Sequence, residues 1–310
     1  MQTHLNSISA IALTLGLAAC GGGGGGSTSN GGPNTPSEPL VTRKTFSTTG
    51  QVIVRSFADD TANLGEPQDV NVVFEYVEGS EELTATLTVF GRTVVFTEED
   101  LNAEGFEFAK DINGGKQEAY LWLITDTVAD IQDETTYFDY FVMFGTSDFD
   151  AVSQINNRAY GVFGYETSAT DLPSGRATYT GPVFGQTLIT AGDGTTIYQL
   201  DGDFIVDVAF ESGDVTNGRI YNLTIDDSPI ADTYDLVDTT LSGSSFNTSV
   251  VASANGCVAD CAFVSSSSVD GAFYGPAAAE TGGNFAIGGT NSAGSEYVAH
   301  GVFGGNPTLR

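Results

Sequence analysis

Apolar and polar residues alternate with a period of two along most of the chain, and no segment sustains a helical period. In segment 202–210, Phe204, Val206 and Val208 share one face, whereas Asp203 and Asp207 lie on the other. This alternation is typical of antiparallel strands that bury one face. Turn residues then lead into a second candidate strand at 219–226, which predicts a hairpin. We therefore predict an all-β protein.

Candidate strands recur from about residue 45 to the end of the chain. Eight or nine of them fall within about 150 residues of the second half, a spacing that favours a closed barrel or a sandwich. The sequence AYGVFG at 159–164 returns as AHGVFG at 299–304. If these were the first and last barrel strands, they would pair and leave no open edge; alternatively, the pattern is a common strand ending in a glycine-rich chain.

The first forty residues predict export and lipid anchoring. An apolar run at 8–19 suits the core of a signal peptide and is too short to span a bilayer. It ends in Leu17-Ala18-Ala19-Cys20, which is similar to the lipobox of bacterial lipoproteins. We expect residues 1–19 to be the signal peptide, Cys20 to be lipidated, and 20–40 to be a flexible tether. The glycines there do not suit a phosphate-binding loop, because no strand precedes them and no Lys-Ser or Lys-Thr follows.

The charge balance excludes one class of partner. The chain has 10 Lys and Arg against 40 Asp and Glu, a formal net charge of -30. Binding to nucleic acid requires clustered cations, so we expect no nucleic-acid partner. With 40% hydrophobic residues, the chain nevertheless has enough apolar material for a packed core.

Three segments rich in glycine and aromatic residues carry a family resemblance. They are GVFGYET at 161–167 with LPSGRATYTG at 172–181, GAFYGPAAAETGGNF at 271–285, and GVFGG at 301–305. Together they resemble the barrel of the transferrin-binding protein B family, which carries the pattern GxFYGPxAxExGGxF. The resemblance covers about 156–310. It implies an eight-stranded antiparallel β-barrel at 156–310, preceded by a β-rich domain at 41–155 that is here called the handle. It also implies a surface lipoprotein of the outer membrane of Gram-negative bacteria.

The segment at 271–285 has a structural interpretation. Gly275-Pro276 ends a strand, and 277–280 are expected to make one helical turn. Glu280 is expected to accept hydrogen bonds from backbone donors or to close the barrel base; a catalytic carboxylate is the weaker alternative. The residues assigned to this structural motif are Gly271, Phe273, Tyr274, Gly275, Pro276, Glu280, Gly282 and Gly283.

Cys257 and Cys261 are separated by only three residues. In an exported protein, such a pair most often forms a disulfide, which we predict here. A metal site would need further His or Cys ligands. We also expect that the bond can be lost without unfolding the barrel.

His300 is the single histidine beyond the leader. As a haem ligand it is one option, because some handle-and-barrel relatives bind haem. The alternative is packing, since His300 shares a strand face with Val298 and Val302. No nucleophile elbow accompanies it, so we predict no enzyme activity. No cofactor is assigned, and haem stays an open option.

The sequence thus predicts a lipid-anchored binding protein at the cell surface. Its ligand is expected to be an iron- or haem-related compound or another protein, with the outer membrane, an export translocon and a receptor as further partners. We expect the loops of the handle to dominate binding. The alternative is a structural or adhesive outer-membrane lipoprotein that binds no solute.

Overall fold

The computed structural model describes residues 41–77, 83–127, 129–130, 137–192, 194–230, 233–253, 263–291 and 294–308. Cys20, the leader, the tether, Cys257 and Cys261 lie outside the described residues, so lipidation and the disulfide stay predictions. Residues Pro39–Arg310 form one compact unit. None of the helices in the described part of the chain has the length and hydropathy needed to cross a bilayer.

The first half of the chain forms an antiparallel sheet, here called the handle sheet, which includes β9 and so extends to Gly164. Its strand order is β5-β4-β3-β1-β9-β8-β7-β6, and β2 adds to β1. Lys110 of β6 links the two edge strands, β6 and β5. Its Nζ donates to the Val95 carbonyl of β5 at 2.7 Å and to Asp100 Oδ2, just after β5, at 2.9 Å. Its strands are β1 (Val41–Ser56), β2 (Thr61–Leu64), β3 (Gln68–Val77), β4 (Leu83–Val89), β5 (Arg92–Thr97), β6 (Glu107–Ile112), β7 (Gln117–Leu123), β8 (Phe141–Asp150) and β9 (Ile155–Gly164), with a 3₁₀ turn at Glu98–Asp100.

The second half forms a closed antiparallel barrel. The sheet order is β16-β18-β19-β20-β10-β11-β12-β14-β17, with β13 and β15 paired to β12. Its ends, β16 and β17, are consecutive in the chain and are separated only by Ser249, so they close the ring as one interrupted strand. The strands are β10 (Arg176–Ala191), β11 (Gly194–Ala209), β12 (Asp214–Ile225), β13 (Ser228–Pro229), β14 (Tyr234–Leu236), β15 (Thr239–Thr240), β16 (Ser245–Thr248), β17 (Val250–Ala252), β18 (Phe263–Tyr274), β19 (Glu280–Thr290) and β20 (Glu296–Thr308).

Counting β16 and β17 together, the ring has eight strands. This confirms the predicted all-β class and the eight-stranded barrel. The apolar residues of the alternating pattern point into the barrel and fill its interior. Phe204, Phe285 and Phe303, for example, belong to one buried core. The Phe204 and Phe303 rings stack with centroids 4.1 Å apart. Since large side chains occupy it, the interior is a packed core.

The predicted pairing of the two similar segments is wrong. Segment 159–164 belongs to β9, which pairs with β1 and β8 in the first sheet. Segment 299–304 belongs to β20, which pairs with β10 and β19. The barrel closes without β9, because β10 occupies the edge of β20 that β9 would need. The sheets divide between Gly164 and Arg176, later than the division at 155/156 predicted from the sequence.

The predicted helical turn at 277–280 is also wrong. Ala277 and Ala278 both have a φ of 55°, in the left-handed region, and Glu280 is already the first residue of β19. Gly275 has a φ of 74°, which glycine adopts without steric cost. The segment is therefore a tight connection between β18 and β19.

Strands β1 and β9 cross the outside of the barrel. Gln51 Nε2 of β1 donates to Asp270 Oδ2 of β18 at 2.6 Å, and Asn284 Nδ2 of β19 donates to the Thr49 carbonyl at 2.8 Å. An apolar cluster fills the contact around Tyr160 of β9. The handle sheet is therefore held to the barrel wall by both packing and hydrogen bonds.

Candidate functional site

A groove runs between the outer face of strands β6–β9 and barrel strand β10. It consists of two adjoining cavities of about 490 Å³ and 380 Å³. Both are lined by Trp122 of β7, by Phe106 just before β6, and by Gln186 of β10. Each cavity has the size of a site for a small ligand.

Strand register places the floor residues on one face. Glu107 is opposite Trp122, Trp122 is opposite Gly145, and Gly145 is opposite Tyr160. In the next row, Tyr120, Ser147 and Arg158 stand side by side across β7, β8 and β9. Residues paired in this way point to the same side of an antiparallel sheet. The floor is therefore a continuous platform of aromatic and polar side chains.

Gly145 allows Trp122 to lie across the sheet. A Cβ atom at Gly145 would stand 2.3 Å from the Trp122 ring, so no other residue fits beneath it without displacing the ring. The ring also meets Tyr160 edge to face, with centroids 5.8 Å apart. The position of Trp122 is thus fixed by packing from below and from one side.

Arg158 links the two walls of the groove. Its Nη1 donates to Gln186 Oε1 at 2.5 Å, across from the handle sheet to the barrel. Burial lowers the pKa of the Arg158 guanidinium, and the neighbouring cation of Arg55 lowers it further, while Tyr160 and Tyr120 act in the opposite direction. A guanidinium stays charged at physiological pH, so the groove contains a fixed positive charge.

Acidic and amide groups complete the lining. Tyr120 donates its hydroxyl to Glu118 Oε2 at 2.8 Å. Burial raises the pKa of Tyr120 to about 12, and the Glu118 carboxylate adds to this. Asn156 is only 8% exposed, and its Oδ1 has no hydrogen-bond partner among the described residues. A buried acceptor of this kind is costly unless another molecule satisfies it.

The structural motif predicted from sequence lies elsewhere, where the barrel meets the handle. Glu280 is buried and accepts hydrogen bonds from the backbone N–H groups of Asp139 and Tyr140, at 2.9 and 3.0 Å. Burial raises the pKa of the Glu280 carboxyl, whereas the two backbone hydrogen bonds act in the opposite direction. Both bonds run from the barrel to the handle, so Glu280 joins the two sheets.

The glycines of the motif allow close packing on both faces of the barrel wall. A Cβ at Gly282 would stand 2.7 Å from the Phe141 ring of the handle, and one at Gly283 would stand 2.1 Å from the Asp270 carbonyl. Gly271 and Gly275 face the rings of Phe246 and Tyr140 at similarly short distances. Phe273 and Tyr274 are buried, and Pro276 lies in the connection between β18 and β19.

His300 is completely buried between the sheets and faces Tyr160, with ring centroids 4.6 Å apart. It points out of the barrel, as do Val298 and Val302, which belong to the clusters beneath the handle. Burial lowers the pKa of His300 to about 3, and the Arg158 cation contributes, while the backbone of Gln51 acts against it. A haem iron could reach this ring only if the packed faces separated.

Sequence reasoning missed the groove residues. The available signal was the alternation of Glu118, Tyr120 and Trp122 along one strand, together with Arg158 in a chain with few cations. Nothing in the sequence places these residues beside β10, which is distant in the chain. Among the residues that the structure describes, no group of three or more His, Cys, Asp or Glu is arranged to hold a metal ion.

Comparison with known proteins agrees with the barrel topology. Residues 172–307 match a family described as the C-lobe and N-lobe beta barrels of Tf-binding protein B. The barrel is of the transferrin-binding protein B type. The matched segment begins just before β10 and ends within β20, so it includes the complete ring of the transferrin-binding protein B-type barrel.

Solved structures that are similar to this chain include two of transferrin-binding protein B. Intact Ap-TbpB, with its N and C lobes, is 13% identical, with a TM-score of 0.37, and the match covers 89% of this chain and 79% of that one. A double mutant of Transferrin Binding Protein B from Haemophilus parasuis Hp5 is 12% identical, with a TM-score of 0.40, and the match covers 88% and 77%. The barrel type is assigned from the family match and the strand pairing, and not from these two structures. No curated protein matches the chain.

Proposed function

We propose that this protein is a lipid-anchored binding protein at the surface of the outer membrane, with an iron- or haem-related ligand or another protein as its target. The observation that carries the proposal is the match of residues 172–307 to the barrels of a transferrin-binding protein. That family is named for binding, so we propose binding rather than catalysis. The predicted signal peptide and lipidated Cys20 supply the anchor, and export to the surface would involve a translocon and a receptor.

The packed barrel supports a role of the handle in binding. Because large side chains fill the barrel interior, a ligand has no room inside it. Loops on a rigid support are common binding sites, and the handle carries exposed aromatic residues such as Phe57 and Tyr137. We therefore place the main contact surface on the handle, with the barrel as its base.

The charge of the chain favours a basic partner. A net charge of -30 attracts positively charged surfaces over long distances and repels negatively charged ones. Such attraction acts chiefly on the association rate and weakens as salt is added. We expect the rate of partner association to fall steeply as ionic strength rises.

The first test is capture with the full-length protein from the fluid that surrounds the cells, using transferrin and haemin as defined probes. Retention of an iron-carrying protein or of haemin supports the proposal. Retention of envelope components alone would favour the structural or adhesive alternative. Protease treatment of whole cells tests exposure, because a protein that faces the periplasm would survive it.

Two exposed aromatic residues allow the handle and the barrel to be compared. Tyr137 of the handle is 63% exposed, and Phe263 of the barrel is 69% exposed. Once a partner is captured, Tyr137→Ala should weaken its binding and Phe263→Ala should not. The reverse result would assign the contact surface to the barrel.

A further inference from the structure

The groove between β6–β9 and β10 holds donors and acceptors that the described protein groups do not satisfy. Asn156 Oδ1 is buried, lines the groove and has no partner. It can only accept, so it requires a ligand with an O–H or N–H group. Arg158 can only donate, and the single hydrogen bond described for its guanidinium is that to Gln186. A ligand that satisfies both residues must both donate and accept.

Charged groups of both signs line the groove. The Arg158 guanidinium repels a cation bound beside it, despite the aromatic floor. Glu107 and Glu118 line the same cavity, and the chain as a whole carries a charge of -30, so an anion is disfavoured as well. The groove is therefore suited to a neutral ligand.

The aromatic floor requires an apolar face on that ligand. The ring faces of Trp122 and Tyr120 are electron-rich and attract C–H groups, which are weakly positive. A pyranose ring presents C–H groups on one face and hydroxyl groups, which both donate and accept, around its rim. The two cavities meet at Trp122, so more than one ring can be accommodated.

We propose that this groove is a binding site for a neutral oligosaccharide. Sugar rings stack on Trp122 and Tyr120, and their hydroxyl groups donate to Asn156 and Glu118 and accept from Arg158. This proposal is based on the geometry of the groove alone. It does not depend on the proposed lipid anchor or on an iron-related ligand.

Trp122 provides a direct readout, because it is the single tryptophan of the chain. The full-length protein, in a detergent without a sugar or quaternary ammonium headgroup, is titrated with maltotriose, cellotriose and chitotriose. Sialyllactose and glycine betaine serve as the anionic and zwitterionic probes. Tryptophan fluorescence and calorimetry are recorded in parallel. We expect saturable binding of at least one neutral trisaccharide, with a change in Trp122 emission.

Variants connect that binding to the groove. Arg158→Gln and Asn156→Leu should each weaken binding at least tenfold, whereas Phe263→Ala, on the barrel surface, should leave it unchanged. If circular dichroism shows that either variant is unfolded, Glu118→Ala decides in its place and should weaken binding, because Glu118 is only partly buried and alanine cannot accept a hydrogen bond from a sugar hydroxyl. The proposal is overturned if no neutral trisaccharide binds, if only sialyllactose or glycine betaine binds, or if folded groove variants bind as tightly as the unmodified protein.

Discussion

At the scale of single residues, Glu280 is the clearest link between the two sheets. Glu280→Ala leaves the backbone N–H groups of Asp139 and Tyr140 without their acceptor in a buried contact. We expect the free energy of unfolding to fall by about 3 kcal/mol, as measured by denaturant titration. Glu296→Ala is the matched control, since Glu296 is exposed, and it should change stability by less than about 0.5 kcal/mol. Equal effects of the two substitutions would contradict the assigned role.

A second prediction at the scale of single residues is that His300 makes the stability of the protein depend on pH. Burial lowers its pKa from 6.5 to about 3, so between these values the unfolded chain binds a proton that the folded protein does not. Stability is therefore lost as the pH falls below 6.5, at up to about 1.4 kcal/mol per pH unit from this residue.

The test compares unfolding of the unmodified protein and His300→Phe between pH 7 and 5. Phenylalanine keeps a ring against Tyr160 but does not titrate, so the variant should lose less stability over this range. Carboxylates titrate in both proteins, and their contribution cancels in the difference. Parallel pH profiles would show that His300 already titrates normally in the folded state.

At the scale of elements, the paired glycines of β19 let the handle and the barrel core approach the same strand from opposite sides. Gly283→Ala places a Cβ atom 2.1 Å from the Asp270 carbonyl and 2.5 Å from the Phe303 ring. Strands β18 and β19 must then separate locally, which we expect to cost about 1–3 kcal/mol or to prevent folding. Thermal unfolding measures the effect. Gly192→Ala has no neighbour within 4 Å and should unfold at nearly the original temperature.

At the scale of the whole molecule, attachment to the membrane depends on one residue in the predicted lipobox. Cys20→Ala should release the protein from membranes, because a lipid at Cys20 is the predicted attachment. Cell fractionation with immunodetection provides the measurement. Cys257→Ala is the matched control and should stay with the membrane. If Cys20→Ala still pellets with the outer membrane after a high-salt wash, the lipobox interpretation is wrong.

By itself, the sequence determined the strands and the type of barrel. Alternation such as that of Phe204, Val206 and Val208 is a local pattern that shows directly which face of a strand is buried. The hairpin of β11 and β12 could therefore be predicted. The motif at 271–285 identified the barrel because its residues are contiguous in the chain, although two of its glycines, Gly275 and Gly282, pack against the handle.

Only the tertiary structure decided which faces meet. AYGVFG at 159–164 and AHGVFG at 299–304 have the same local preferences, yet β9 joins the handle and β20 joins the barrel. Tyr160 and His300 therefore face one another across the contact instead of pairing along a sheet. The groove arises in the same way, because Arg158 and Gln186 come from different sheets. Which sheet faces pack against each other is decided by burial between residues that are distant in the chain, and the local pattern of either strand does not specify it.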